Sequence, residues 1–238
     1  DLFVFDVKTD KLIQTVDTLG TLLYGMTVDS KGTVFVAQTD ARNEVNGRSG
    51  TKKHGLKELG NRAFLNQVTR VRFEGGKARK PEFLDLEPLP PENPTEGMAL
   101  ATPFAIEVSG DDSTLFVSAA GSDKVFSMDA VSGKVIGRVK VGAVPRGIAL
   151  SPAHGGKPKR AWVLNAVENS VSVLDVSNPR SLRVVRTIPL EDHSHPEFKA
   201  GRIAFNRADA SSTKTFSCAS CHPDGHTDQL LWVLKTPI

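Results

Sequence analysis

The chain has 238 residues, a formal net charge of +3 and a hydrophobic fraction of 39%. That length allows one large domain, or a domain and a half, with a proper core, and so small a charge argues against a nucleic-acid or anionic-membrane surface. No stretch approaches the roughly 18 consecutive apolar residues that span a bilayer, and a chain with 2 cysteines, both inside one five-residue motif, has no disulfide scaffold.

Alternation of apolar and polar residues with period two predicts an all-β fold. The chain starts inside that pattern, at Leu2-Phe3-Val4-Phe5, with neither Met nor a leader before it. It reads as a mature chain or a fragment. Residues 1–18 supply two strands. Gly25-Met26-Thr27-Val28 and Thr33-Val34-Phe35-Val36-Ala37 supply two more across the turn Asp29-Ser30-Lys31-Gly32. An insertion at 40–66 follows, with Arg48, Lys52, Lys53, His54, Lys57 and Arg62 and a short helical periodicity from Leu56 to Phe64. It reads as a solvated surface loop; the functional alternative is a basic lip facing an anionic group or an acidic partner. The stretch from Glu87 to Pro103, rich in Pro and Glu, reads as an ordered loop.

From here the strands recur as a repeat. One unit runs through Phe104-Ala105-Ile106-Glu107-Val108, Thr114-Leu115-Phe116-Val117, Val125-Phe126-Ser127-Met128 and Val135-Ile136-Gly137-Arg138-Val139. The next runs through Gly147-Ile148-Ala149-Leu150, Ala161-Trp162-Val163-Leu164, Val171-Ser172-Val173-Leu174-Asp175-Val176 and Val184-Val185-Arg186-Thr187-Ile188. Ile106 and Ile148 lie 42 residues apart, and four strands in that length is the period of a β-propeller blade. Asn169-Ser170-Val171-Ser172-Val173-Leu174-Asp175, led by Gly-Ile-Ala-Leu-Ser-Pro, resembles the YVTN-type propeller repeat, a likeness that covers most of residues 1–190. It implies four-stranded antiparallel blades around a central channel. Gly201-Arg202-Ile203-Ala204-Phe205-Asn206-Arg207 continues the pattern and predicts inner strands over 201–221. Those strands and residues 1–18 could complete one blade and close a ring of about four. The alternative is part of a larger propeller, seven-bladed by the resemblance, and a start in mid-strand favours it. The expected organisation is therefore a whole or partial β-propeller over 1–210, then the start of a cytochrome c-type haem-binding segment over 211–238.

The chemistry-bearing motif is Cys218-Ala-Ser-Cys221-His222. Two cysteines three apart can form thioethers with the two vinyl groups of one haem, and the His that follows then lies under the iron. The expected cofactor is one covalent haem c on Cys218 and Cys221, with His222 as metal ligand. The alternatives are a thioredoxin-like Cys-x-x-Cys, which wants a βαβ context absent here, a zinc site from Cys218, Cys221, His222 and His226, and a local disulfide. Candidates for a sixth ligand are His226, His193, His195, Met98, Met128 and Met26. His226 stands close behind His222, the other two histidines read as exposed loop residues, Met98 as loop or core packing, and Met26 and Met128 as core strand residues. A five-coordinate iron would favour catalysis over plain electron transfer. Trp232 reads as packing, or as an aromatic on an electron path. Asp224 and Asp228 read as holding backbone or a bound cation.

Ser217 to Asp228 also resembles the first haem segment of bacterial di-haem cytochrome c peroxidases and their methylamine-utilisation relatives, over about twenty residues. Those families carry a second Cys-x-x-Cys-His and a longer helical domain, which this sequence lacks. The resemblance implies that Cys218 and Cys221 bind haem and that His222 ligates iron. The primary expectation is an exported c-type haem protein that moves electrons, periplasmic or on the bacterial cell surface, with the propeller as docking scaffold and a redox protein or second haem domain as partner. In that setting the basic lip would meet haem propionates. The alternatives are a peroxidase-like haem oxidoreductase and a propeller binding module whose haem site is empty.

Overall fold

The alternating segments pair into antiparallel sheets in the computed structural model, which describes residues 1–46, 55–152 and 154–234. β1 (Leu2–Phe5) pairs with β2 (Leu12–Val16) as a two-stranded sheet. The first full blade contains β3 (Leu22–Val28), β4 (Val34–Ala41) and β5 (Phe64–Val71). Beyond a small hairpin, β6 (Phe73–Glu74) and β7 (Lys77–Ala78), it is completed by β8 (Glu82–Asp85). The second blade is β9 (Pro103–Val108), β10 (Thr114–Ala119), β11 (Lys124–Asp129) and β12 (Val135–Lys140). The third is β13 (Pro145–Leu150), β14 (Arg160–Asn165), β15 (Ser170–Asp175) and β16 (Arg183–Pro189). In each blade the strands neighbour one another in chain order, as hairpin-linked strands do.

The first strands of the three blades lie side by side, β3 against β9 and β9 against β13, so the blades fan into an arc around one axis. Close approach there needs a missing side chain: a Cβ on Gly25 would stand 2.5 Å from the Phe104 carbonyl oxygen. Between the blades, opposite faces of each sheet bury different residues. Leu115, Val117 and Ala119 of β10 pack with Phe35, Ala37 and Val68 of the first blade. Phe116, on the other face of β10, packs with Ala161, Val163 and Leu174 of the third. Val16 and Leu19 pack on Val34, Val36 and Val71. A strand covered on both sides is buried throughout, as β10 is, whereas β14 alternates exposed and buried because nothing among the described residues covers its second face. Trp162, one blade on from Phe116 at the equivalent strand position, is 40% exposed.

Three expectations are corrected. The segment expected as strand over 201–221 forms α1 (Pro196–Asn206) and the single turn α2 (Cys218–Cys221). Pro196 opens α1 and the His195 side chain caps it by accepting from the Glu197 amide, so a helix start precedes the strand-like pattern. Arg62, expected in a solvated surface loop or, alternatively, on a basic lip, is 1% exposed and ion-paired to buried Glu87 at 3.2 Å. Arg48, Lys52, Lys53 and His54 of that lip lie outside the described residues, and Lys57 is exposed. Met26, expected in the core, is exposed on β3, while Met128 is fully buried. The helical periodicity over Leu56 to Phe64 becomes a 3₁₀ turn at Gly55–Leu59, followed by the start of β5. Among the described residues no helix is long and apolar enough to cross a membrane.

Candidate cofactor-attachment site

A buried polar platform on the first blade receives the C-terminal segment. The Leu100 amide donates to Glu87 Oε1 (2.9 Å), and Asn66 Nδ2 and Arg62 Nη2 donate to Oε2 (3.1 and 3.2 Å). Asn66 also donates to the Thr215 carbonyl (2.9 Å) and accepts from the Thr102 amide (2.9 Å). Thr213 adds a hydroxyl bond to the Asn61 carbonyl (2.8 Å). Burial pushes the Glu87 carboxyl up from its ordinary value against the pull of these donors, and burial likewise pulls the Arg62 guanidinium down.

Three residues beyond Thr215 the chain turns into α2. The Ser217 amide donates to Ser220 Oγ (3.0 Å) and the His222 amide closes the turn on the Cys218 carbonyl (3.0 Å). A one-turn helix places residues three apart on one side. Cys218 is exposed, Cys221 half-buried, and both thiols are free. They line one cleft of about 450 Å³ together with His222, Leu56, Ala63, Phe216 and Leu234. Burial first, then Asp228 and Cys218, push the Cys221 thiol up to about 11. A redox Cys-x-x-Cys works the other way, by lowering a thiol.

His222 Nδ1 lies 2.9 Å from the His226 carbonyl oxygen. A carbonyl only accepts, so Nδ1 carries a proton, and in the neutral ring Nε2 is the nitrogen with the lone pair. A tight turn makes this contact. The Gly225 amide donates to the His222 carbonyl (3.2 Å) and the His226 amide to that of Pro223 (2.9 Å). Asp224 and Gly225 both have positive φ, 51° and 82°, a conformation that Asp and Gly tolerate best. The Asp228 amide then bonds the Cys221 carbonyl (2.8 Å). Its carboxylate accepts from the Leu230 amide (3.0 Å) and from Trp232 Nε1 (2.8 Å), so Asp228 holds local structure. Trp232 packs its ring against buried Phe64, centroids 5.3 Å apart. Asn46 clamps the Val233 backbone at 2.6 Å.

None of the other candidate ligands lines the cleft. His193 and His195 are exposed in the loop before α1, beside Glu191 and Glu197, and Met98 is 41% exposed. Cys218, Cys221, His222 and His226 do not converge as a zinc site: among the described residues no three His, Cys, Asp or Glu side chains gather as metal ligands.

Sequence reasoning missed Tyr24, Phe104 and Arg146. Each lies two residues before Met26, Ile106 and Ile148, which face Val36, Val117 and Val163 in their blades. They are thus one repeat position in three successive blades. Tyr24 stacks on Phe104 at 4.9 Å, and the Arg146 guanidinium lies over the same ring at 4.8 Å. The shared position was readable in the repeat, but nothing marked an aromatic, an aromatic and a cation as one group.

No known protein-family profile matches the chain, and no curated protein matches it by sequence. Solved structures do match. Hydrazine synthase of Kuenenia stuttgartiensis has a TM-score of 0.55 at 17% identity, over 72% of this chain and 50% of that one. A 6-phosphogluconolactonase-like protein of Bacteroides fragilis has 0.51 at 16% identity, over 80% and 50%. A Lactobacillus plantarum protein has 0.52 at 13% identity, over 81% and 50%. At such identities the likeness concerns fold alone: the chain is all-β and β-propeller-like, and it spans about half the length of the structures it matches.

Proposed function

We propose that the chain is a c-type haem redox protein in which a propeller-like arc, built of YVTN-type repeats, carries one covalent haem. The observation that carries this is the pairing of the His222 ring with the His226 carbonyl beside two free thiols on one apolar cleft. Metal-ligating histidines characteristically give their other ring N–H to such an acceptor, which fixes tautomer and orientation. The cleft volume falls in the ordinary range for cofactor sites, and its walls are largely apolar. The residues therefore fit the group.

In this reading Cys218 and Cys221 would hold the haem covalently, each through a thioether bond. His222 would ligate its iron through Nε2, since Nδ1 faces the His226 carbonyl. When bound, the haem supplies one-electron chemistry. Phe216, Leu56 and Leu234 exclude water from one face, and the platform at Asn66 and Glu87 holds the attachment segment on the arc. Attachment of this kind places the protein outside the bacterial cytoplasmic membrane, with a redox protein or a second haem as electron partner.

A second reading is a haem oxidoreductase of the di-haem cytochrome c peroxidase type. The cleft lining favours it, because His222 is the one imidazole there among the described residues and no thioether joins it. A haem held by this one protein ligand would suit catalysis.

Oxidised and dithionite-reduced visible spectra, with an intact mass, test both. Expression with c-type maturation should give a reduced α-band and the mass of one haem, and Cys218→Ala/Cys221→Ala should abolish both. A low-spin spectrum supports the carrier and a high-spin one the oxidoreductase. Colourless wild-type protein at its bare polypeptide mass would overturn the haem reading.

A further inference from the structure

The turn that presents the His226 carbonyl to His222 is anchored from outside the attachment segment. Asp224, at the tip of that turn, pairs with Arg146 at 2.5 Å. Arg146 is the second residue of β13, the axis-lining strand of the third blade. Its second guanidinium nitrogen reaches Asn206 Oδ1 at 3.3 Å, at the C-terminal end of α1. Its face rests on Phe104 of the second blade, which rests on Tyr24 of the first. One side chain thus joins three blades, α1 and the ligand-bearing turn.

The order of contacts is a chain of constraint. The Tyr24–Phe104 stack fixes the plane on which the guanidinium lies. That plane aims one N–H at Asp224, and its Nε has no partner of its own, so stacking and the two terminal contacts are what orient it. Asp224 held there keeps the strained turn closed, and the closed turn sets the His226 carbonyl against His222 Nδ1. Among the described residues, Arg146 is the one side chain outside residues 217–234 that hydrogen-bonds or ion-pairs with a side chain of the turn tip.

We propose that Arg146 is the positioning residue for the iron-ligating histidine, acting through Asp224 to fix the tautomer and ring orientation of His222. This rests on the haem reading, but its effect on the turn does not require haem. An arginine is needed because only a planar guanidinium can stack on Phe104 while donating to Asp224 and Asn206 at once. A lysine would keep the charge and lose the geometry.

The experiment uses Arg146→Ala, Arg146→Lys and Asp224→Asn in the whole chain. Asn tolerates the positive φ of residue 224, and that side chain is 67% exposed, so the last variant spares the arc. The first readout is hydrogen exchange of the haem-free protein at the amides of Gly225, His226 and Asp228, with the β13–β14 amides as folding control. Arg146→Ala and Asp224→Asn should each speed exchange at the three turn amides about fivefold, a pair this exposed being weakly coupled. Arg146→Lys should recover only part of the protection, and the β13–β14 amides should not change. The second readout is the axial-ligand signature of the haem-loaded protein, by electron paramagnetic resonance and midpoint potential. Both should shift in Arg146→Ala and Asp224→Asn, and a purely structural role would leave them unmoved. Unchanged exchange at the turn in both variants would overturn the proposal, as would an unshifted ligand signature in protein that binds haem. Wild-type protein that takes up no haem would sink the functional reading instead, and the exchange data would then still decide whether Arg146 holds the turn.

Discussion

The arc and the C-terminal segment are held by different chemistry. Between blades, apolar side chains from facing sheets form continuous cores, with Phe35, Phe116, Phe126 and Met128 all at most 2% exposed. Residues 196–234 lie on that arc mainly through polar contacts. Helix α1 buries none of its residues fully. It is tied down by Lys199 to the Glu168 carbonyl (2.7 Å), and just past its end Arg207 pairs with Asp123 (2.7 Å). The attachment turn hangs on Asn66, Asn61 and Arg146, and only the Phe64–Trp232 contact and its neighbours give it an apolar footing. Apolar burial is non-directional and cumulative, whereas polar contacts fix geometry at little net energy. The arc supplies stability and the segment supplies placement, so damage to one should read differently from damage to the other.

The largest effect is expected where a core side chain serves two blades. Phe116→Ala empties a site lined by Ala161, Val163 and Leu174 and should cost about 3–5 kcal/mol in denaturant unfolding. Because the segment sits on the arc, spectroscopic probes in the blades and at Trp232 should lose their signals together. Independent transitions for the two would mean that the arc and the segment are separate folding units.

The junction comes next. Glu87→Ala leaves Arg62 charged and without its ion-pair partner in a buried site, an expected loss of about 3 kcal/mol, whereas Glu87→Gln keeps the shape and an acceptor oxygen and removes the titrating group. It also changes the pH dependence. The folded carboxyl lies above its ordinary 4.5, so in that window the folded state binds the extra proton. The stability it contributes is full below 4.5 and is lost as pH rises through the raised value. Urea midpoints of the wild type should therefore fall across that window, and the glutamine variant should lose that part of the slope. Parallel pH profiles would show that Glu87 is not shifted upward.

What was legible in the sequence follows the same division. The strands of the second and third blades could be read directly, because β10 and β14 are short runs rich in apolar residues and Ser-Gly turns at Ser109-Gly110 and Ser132-Gly133 punctuate the repeat. Cys218, Cys221 and His222 share a cleft because they span five residues and one helical turn. The segment between was misread. Gly201-Arg202-Ile203-Ala204 imitates the lead of a blade, but Pro196 has already begun a helix. Arg62 sat in a basic run, and its partner Glu87 lies 25 residues away, so its burial had no local signal. The grouping of Tyr24, Phe104 and Arg146 is a product of three separate blades and becomes visible only when their strands are laid side by side.

The smallest effect should belong to the segment's own apolar footing. Trp232→Phe keeps an aromatic ring against Phe64 and removes the Nε1 donor to Asp228. Asp228 retains the Leu230 amide and access to water, so the loss should be about 1 kcal/mol, the net worth of a single hydrogen bond. It should appear as faster hydrogen exchange at the Leu230 and Val233 amides while the midpoint of global unfolding stays put. That outcome would place Trp232 as packing on the arc. An unchanged exchange pattern, combined with a slower rate of haem reduction in loaded protein, would reverse the assignment and put the indole on the electron path.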